Sequence, residues 1–311
     1  MATRIPYDEF SMFHENAAEY GIPYSSPPVV ARVSVEVGEG RSLSALKWGT
    51  ESPQLVFLHG GAQNAHTWDT VALALNIPLL CIDLPGHGHS DSAAAFDPTA
   101  LPLQQNAADI AIVIRELAPH AQAVIGMSLG GVTTMALARD NSDLVRKMVL
   151  VDITPGVNQE KTKHITDFVN GPATFPSFEE LLERTIQFNP TRTVESLRRG
   201  ILHNALQLED GSWVWRYRRP GAEPLPGLMK VDQKVERPSN ASLWDALQEF
   251  GKPIFFVRGM RSQSVVTDED EAELRRRAPQ VKVIHAHEAG HSVQGDMPLE
   301  LAQWIKEFVG L

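Results

Sequence analysis

The chain of 311 residues has one cysteine, Cys81, so it cannot form an internal disulfide, in agreement with a reducing compartment. It also has no long apolar run. Stretches such as 123–127 and 148–151 fall far short of the ~20 residues that cross a bilayer. Residues 1–20 carry acids where a secretory leader needs an apolar segment, so a cytoplasmic protein without stable membrane insertion is expected. Cations are in deficit: 28 Lys plus Arg stand against 38 Asp plus Glu, a net charge of −10. Such a field repels phosphate backbones, and nucleic acid is not an expected partner. Gly and Pro, 22 and 21 residues, are too few for a collagen-like or low-complexity chain.

What is present is a globular pattern. Residues 1–30 read as an appended arm, in which Phe10, Phe13, Ala17 and Tyr20 recur at helical spacing until Pro23, Pro27 and Pro28 stop the helix. Val33, Val35 and Val37 alternate with polar residues and open a hairpin with 43–48. Apolar runs at 54–58, 79–82, 123–127, 148–151 and 254–257 are then separated by helical patterns, notably 107–117 and 132–139. That alternation predicts an α/β fold, a mostly parallel sheet flanked by helices. Residues 153–250 break the rhythm with a helical 178–186, a basic 197–202 and a hairpin that turns at Asp210 and Gly211 before Trp213, Trp215 and Tyr217. So long an interval between two strands predicts an inserted cap on a core of 31–152 and 251–311.

Gly126-Met127-Ser128-Leu129-Gly130 is a G-x-S-x-G string, which arises about 0.1 times by chance in a chain of this composition. It directly follows an apolar run and directly precedes a helical one. That is the strand, sharp turn and helix of a nucleophile elbow, where glycines let strand and helix approach while the serine hydroxyl projects. The bland alternative is a glycine-rich turn with an incidental serine.

With this motif the chain resembles the α/β-hydrolase superfamily from about residue 33 onward. Phe57-Leu58-His59-Gly60-Gly61 resembles its oxyanion loop, Asp83-Leu84-Pro85-Gly86-His87-Gly88-His89-Ser90 a further loop of its pattern, and Ala289-Gly290-His291 its catalytic-histidine segment. Within the superfamily the segments HGG, QNAHTWD, GMSLGG and WVWRY look most like capped actinobacterial, mycobacterial-type esterases. The resemblance implies Ser128 as nucleophile. The family's order of serine, acid and histidine leaves His164, His203, His285, His287 and His291 as bases; His291 is preferred because it follows the strand-like 281–285 in a loop before the terminal helix. The acid departs from the commoner arrangement, because 254–257 leads into Arg258-Gly259-Met260-Arg261-Ser262 with no carboxylate. Asp152 ends the preceding strand, where some relatives carry the acid; Asp268 or Asp270 is the alternative. The family's usage points to the Gly61 and Leu129 N–H groups as oxyanion donors. His59 is read as structural.

The activity implied is hydrolysis of a carboxylic ester, with short to medium acyl chains, through an acyl-enzyme and without a cofactor. A lactone, a thioester or a carbon–carbon bond could serve the same triad, and a binding protein on a hydrolase fold is the rival of another class. Trp213 and Trp215 are the cap aromatics expected against the substrate, beside Phe168, Phe175 and Phe178. His87, His89 and Asp91 form H-x-H-x-D, part of a metallohydrolase signature, but a metal centre would leave the serine turn unexplained.

Overall fold

The computed structural model describes residues 5–91, 102–157, 160–217 and 240–311. Residues 1–4 of the expected arm and 218–239 of the expected insertion lie outside them. The chain begins with helix α1 (Phe13–Tyr20) and the strands β1 (Val30–Gly38), β2 (Arg41–Trp48) and β3 (Leu55–Leu58). There follow α2 (Asp69–Leu75), β4 (Leu79–Ile82), α3 (Pro102–Leu117), β5 (Ala123–Met127), α4 (Leu129–Asp140) and β6 (Met148–Val151). The interrupting segment holds α5 (Lys163–Val169), β7 (Thr174–Phe175), α6 (Phe178–Phe188), α7 (Val194–Asn204), β8 (Ala205–Gln207), β9 (Trp213–Trp215) and α8 (Asn240–Glu249). The chain returns to the sheet with β10 (Ile254–Gly259), α9 (Asp268–Arg277), β11 (Lys282–Ala286), α10 (Val293–Asp296) and α11 (Pro298–Val309).

Among the described residues the main sheet has eight strands in the order β1-β2-β4-β3-β5-β6-β10-β11. The β1–β2 hairpin and the β2–β4 pair are antiparallel; every later pair is parallel. The parallel strands read as unbroken apolar runs because helices cover both faces. In β3, Val56 and Leu58 enter the core under α3 and α4, whereas Leu55 and Phe57 enter the one under α2 and α11. Phe256 and Phe255 divide in the same way in β10. Each such side chain, once buried, contributes about 1.5–3 kcal/mol, so the centre of the sheet fixes its strand ends firmly.

A third core joins Phe175, Phe178, Leu181, Ile201, Trp213 and Trp215 under the small sheet β7-β9-β8. Leu243, Trp244, Leu247 and Phe250 do not belong to it. Expected within the insertion, they pack in the main core, where α8 lies against α4 and α9. The arm is also less peripheral than its sequence suggests: Phe13 packs on Trp48 at 4.9 Å between ring centroids, and Met12 joins the third core. None of the described helices is long and apolar enough to cross a membrane.

Candidate active site

The elbow forms where β5 ends and α4 starts. Ser128 holds φ 50° and ψ −116°, a left-handed backbone that an ordinary residue adopts only under constraint. The constraint is the close passage of neighbouring chain: a Cβ on Gly130 would fall 2.2 Å from the Leu58 carbonyl oxygen, and one on Gly126 2.4 Å from that of Gly130. Leu129 opens α4, and its N–H has no partner within the helix.

The loop after β3 is held by two histidines, His59 and His87. His59 Nδ1 bonds the Gly60 carbonyl at 2.7 Å and its Nε2 accepts from the Leu84 N–H at 2.9 Å; burial drives its pKa down to about 3. The Gly60 N–H donates to Gln63 Oε1 at 3.0 Å and the Ala62 N–H to His87 Nε2 at 3.1 Å. Between them, the Gly61 N–H makes no hydrogen bond among the described residues. His87 spends its other nitrogen on the Pro85 carbonyl, and Asp91 accepts from the Ser42 N–H, so His87 and Asp91 of the H-x-H-x-D string serve as loop ties.

Asp152 sits one residue past β6, fully buried, with φ 47°. Its Oδ1 accepts from the Gly259 N–H at 2.9 Å and Ser264 Oγ at 2.7 Å, its Oδ2 from the Val265 N–H at 3.2 Å and His291 Nδ1 at 2.9 Å. A carboxylate out of water is tolerable only when its lone pairs are met in this way. The loop after β10, which carries no acid, thus wraps the acid of the neighbouring strand. Glycine is required where it meets the histidine loop, since a Cβ on Gly259 would lie 2.1 Å from the Gly290 carbonyl oxygen. Asp268 and Asp270 are elsewhere. Asp268 is exposed and pairs with Arg258 at 2.7 Å, and Asp270 closes a capping box with Thr267 at the start of α9. Ser264 was not singled out in the sequence; one serine in an Arg-Ser-Gln-Ser loop carries no signal of its partner.

Ser128, Leu129, Gly61 and His291 all line one cavity of about 810 Å³. Trp215 lines it, together with Phe168 and Tyr217. Trp213 does not: it turns into the third core against Phe178, at 5.2 Å. Of the other candidate bases, His164 and His203 reach the cavity, and burial lowers the pKa of both. His285, which does not line the cavity, bonds Glu271 at 2.8 Å.

One cluster in the wall has the composition of a metal site. His66, Asp69 and His203 bring ligand atoms within 4.8 Å of one another. The two imidazoles, however, stack at 3.7 Å with planes 11° apart, so their in-plane lone pairs run side by side and do not converge. His66 also commits both nitrogens, to Asp69 at 2.8 Å and Glu9 at 3.2 Å. The cluster is a buried ionic junction of arm, core and insertion, extended by Tyr7 on His203 Nδ1 and by Arg32 on Glu9 and Asp83.

A mostly parallel sheet, a strained serine between strand and helix, and a buried aspartate–histidine pair define a hydrolase, and the chain belongs to the alpha/beta hydrolase fold family, which it matches over residues 53–298. The fold class and family resemblance read from the sequence are therefore borne out. The chain is 42% identical over 306 residues to esterase Rv0045c of Mycobacterium tuberculosis, covering 96% of this chain and 95% of the relative. A solved structure of that esterase matches with a TM-score of 0.82 at 40% identity, over 99% of this chain and 100% of the other. The 3-hydroxybutyrate-oligomer hydrolase of Cupriavidus necator is 28% identical, covering 85% of this chain and 92% of that protein.

Proposed function

We propose that the protein hydrolyses small carboxylic esters through an acyl-enzyme. Ser128 attacks the ester carbonyl, His291 Nε2 takes the hydroxyl proton, and the same proton is returned to the departing alkoxide; water then repeats the sequence on the acyl-serine. The observation that carries this reading is the 2.9 Å contact of His291 Nδ1 with Asp152 Oδ2. With Nδ1–H given to the carboxylate, Nε2 keeps its lone pair for the serine, and the imidazolium that forms is stabilised by a charge already in place. The N–H groups of Gly61 and Leu129, which have no hydrogen-bond partner among the described residues, supply donors for the tetrahedral oxyanion.

Residues 153–217 act as the cap in this reading, with α8 assigned to the core by its packing. A cavity of about 810 Å³ suits short to medium acyl groups. No cofactor is required, the acidic chain disfavours nucleic acid, and the lone buried Cys81 fits a cytoplasmic enzyme. The test is hydrolysis of p-nitrophenyl esters from acetyl to palmitoyl. Turnover that peaks at short or medium chains supports the reading, and absence of turnover across the series overturns it.

A further inference from the structure

The cavity that Ser128 lines is also lined by residues of α7, the turn before it and α10, and two arginines are among them, Arg192 and Arg199. They differ in charge balance. Arg199 pairs with Glu19 of α1 and has Glu15 at 3.7 Å. Arg192 has no carboxylate within 4.0 Å among the described residues: Nη2 donates to Ser196, Nε is buried with no partner, and Nη1 makes no hydrogen bond. The acids that line the cavity are engaged elsewhere, Asp69 with His66 and Asp296 with the Gly290 N–H. Room for the guanidinium comes from a missing side chain, since a Cβ on Gly295 would lie 1.7 Å from Arg192 Nη1. Tyr20 fixes that glycine by donating to its carbonyl at 3.0 Å.

A guanidinium in a cavity wall with no paired carboxylate presents a planar N–H fork that matches one. We propose that Arg192 forms a carboxylate subsite, so that the preferred substrates are esters bearing a carboxylate remote from the scissile bond. This rests on the ester-hydrolase reading and adds the class of substrate to it. The negative charge of the chain as a whole repels anions, so Arg192 acts as a local selector within the cavity and not as a long-range attractor.

The experiment compares kcat/KM within two pairs of esters. For the acyl side these are the p-nitrophenyl monoester of adipic acid and its methyl ester; for the alcohol side, 4-(butyryloxy)phenylacetate and its methyl ester. The expected result is a preference for the carboxylate of about tenfold or more in at least one pair. Arg192→Gln should erase that ratio and Arg192→Lys restore part of it, whereas a merely structural arginine would lower both members alike. Gly295→Ala, which displaces the guanidinium without removing its charge, should also reduce the ratio. Equal rates within both pairs, or a preference that survives Arg192→Gln, would overturn the subsite while leaving the hydrolase reading intact. If no ester is cleaved, that reading falls, and calorimetric titration with adipate still decides the subsite: binding lost in Arg192→Gln supports it, and no binding to the unaltered protein refutes it.

Discussion

At the ends of the sheet strands Asp152 meets hydrogen-bond donors from Gly259, Ser264, Val265 and His291, while in the cavity that His291 lines Arg192 and Arg199 each keep a buried Nε without a partner, as His203 keeps Nε2. The shell around the Asp152 carboxylate is complete before any ligand arrives. Its groups are fixed by strand ends and tight backbone crossings, the rigidity that charge stabilisation in a transition state demands. The arginine-bearing part of the cavity, where the insertion meets α1 and α10, leaves polar groups for something else to satisfy. In the proposed reading, chemistry lies at the strand ends of the sheet and recognition with what covers them.

The division predicts where substitutions should hurt rate. Ser128→Ala should lower kcat on the order of 10⁶-fold with the circular dichroism spectrum retained; residual turnover above about a hundredth would break the assignment of chemistry to the strand ends. Asp152→Asn keeps the shape and removes the charge, and should lower kcat on the order of 10⁴-fold with little change in KM. Asp268→Asn and Asp270→Asn, whose carboxylates serve an ion pair and a helix cap, should each cost less than about tenfold. Ser264→Ala removes one donor to the buried carboxylate and should lower kcat by about tenfold or somewhat more, measured with the same ester.

On the covering side the expected effect is on stability. Burial alone would lower the pKa of His66, but the Asp69 and Glu9 carboxylates raise it from 6.5 to about 9. Because the folded value lies above the unfolded one, the stabilisation is complete below about pH 6.5 and disappears as pH rises through about 9. A shift of that size is worth on the order of 3 kcal/mol. Denaturant unfolding of His66→Gln beside the unaltered protein should show a stability gap that narrows between pH 6.5 and 9.5; a constant gap would separate the junction from any titration of His66.

The same division governs what could be read in the sequence. Strands β3 to β6 and β10 were legible because both faces are covered, which makes their residues continuously apolar and their ends sharp. Asp152 could be picked out because it directly follows such a strand. Trp213 was misplaced because its sequence does not say which aromatic α6 would cover. Tyr7, Glu9 and Arg192 carried no signal, since their roles depend on partners up to 196 residues away across arm, core and insertion. Residues near a strand inherit its certainty, and residues that meet only by tertiary packing do not.

The central claim is that His291 and Asp152 activate Ser128 as a nucleophile. Its most direct test is reaction with a fluorophosphonate, followed by mass spectrometry of the digested protein and repeated on Asp152→Asn. The account predicts a single adduct on the peptide containing Ser128, formed far more slowly in Asp152→Asn. An adduct on another residue, no adduct, or equal rates in the two proteins would contradict it.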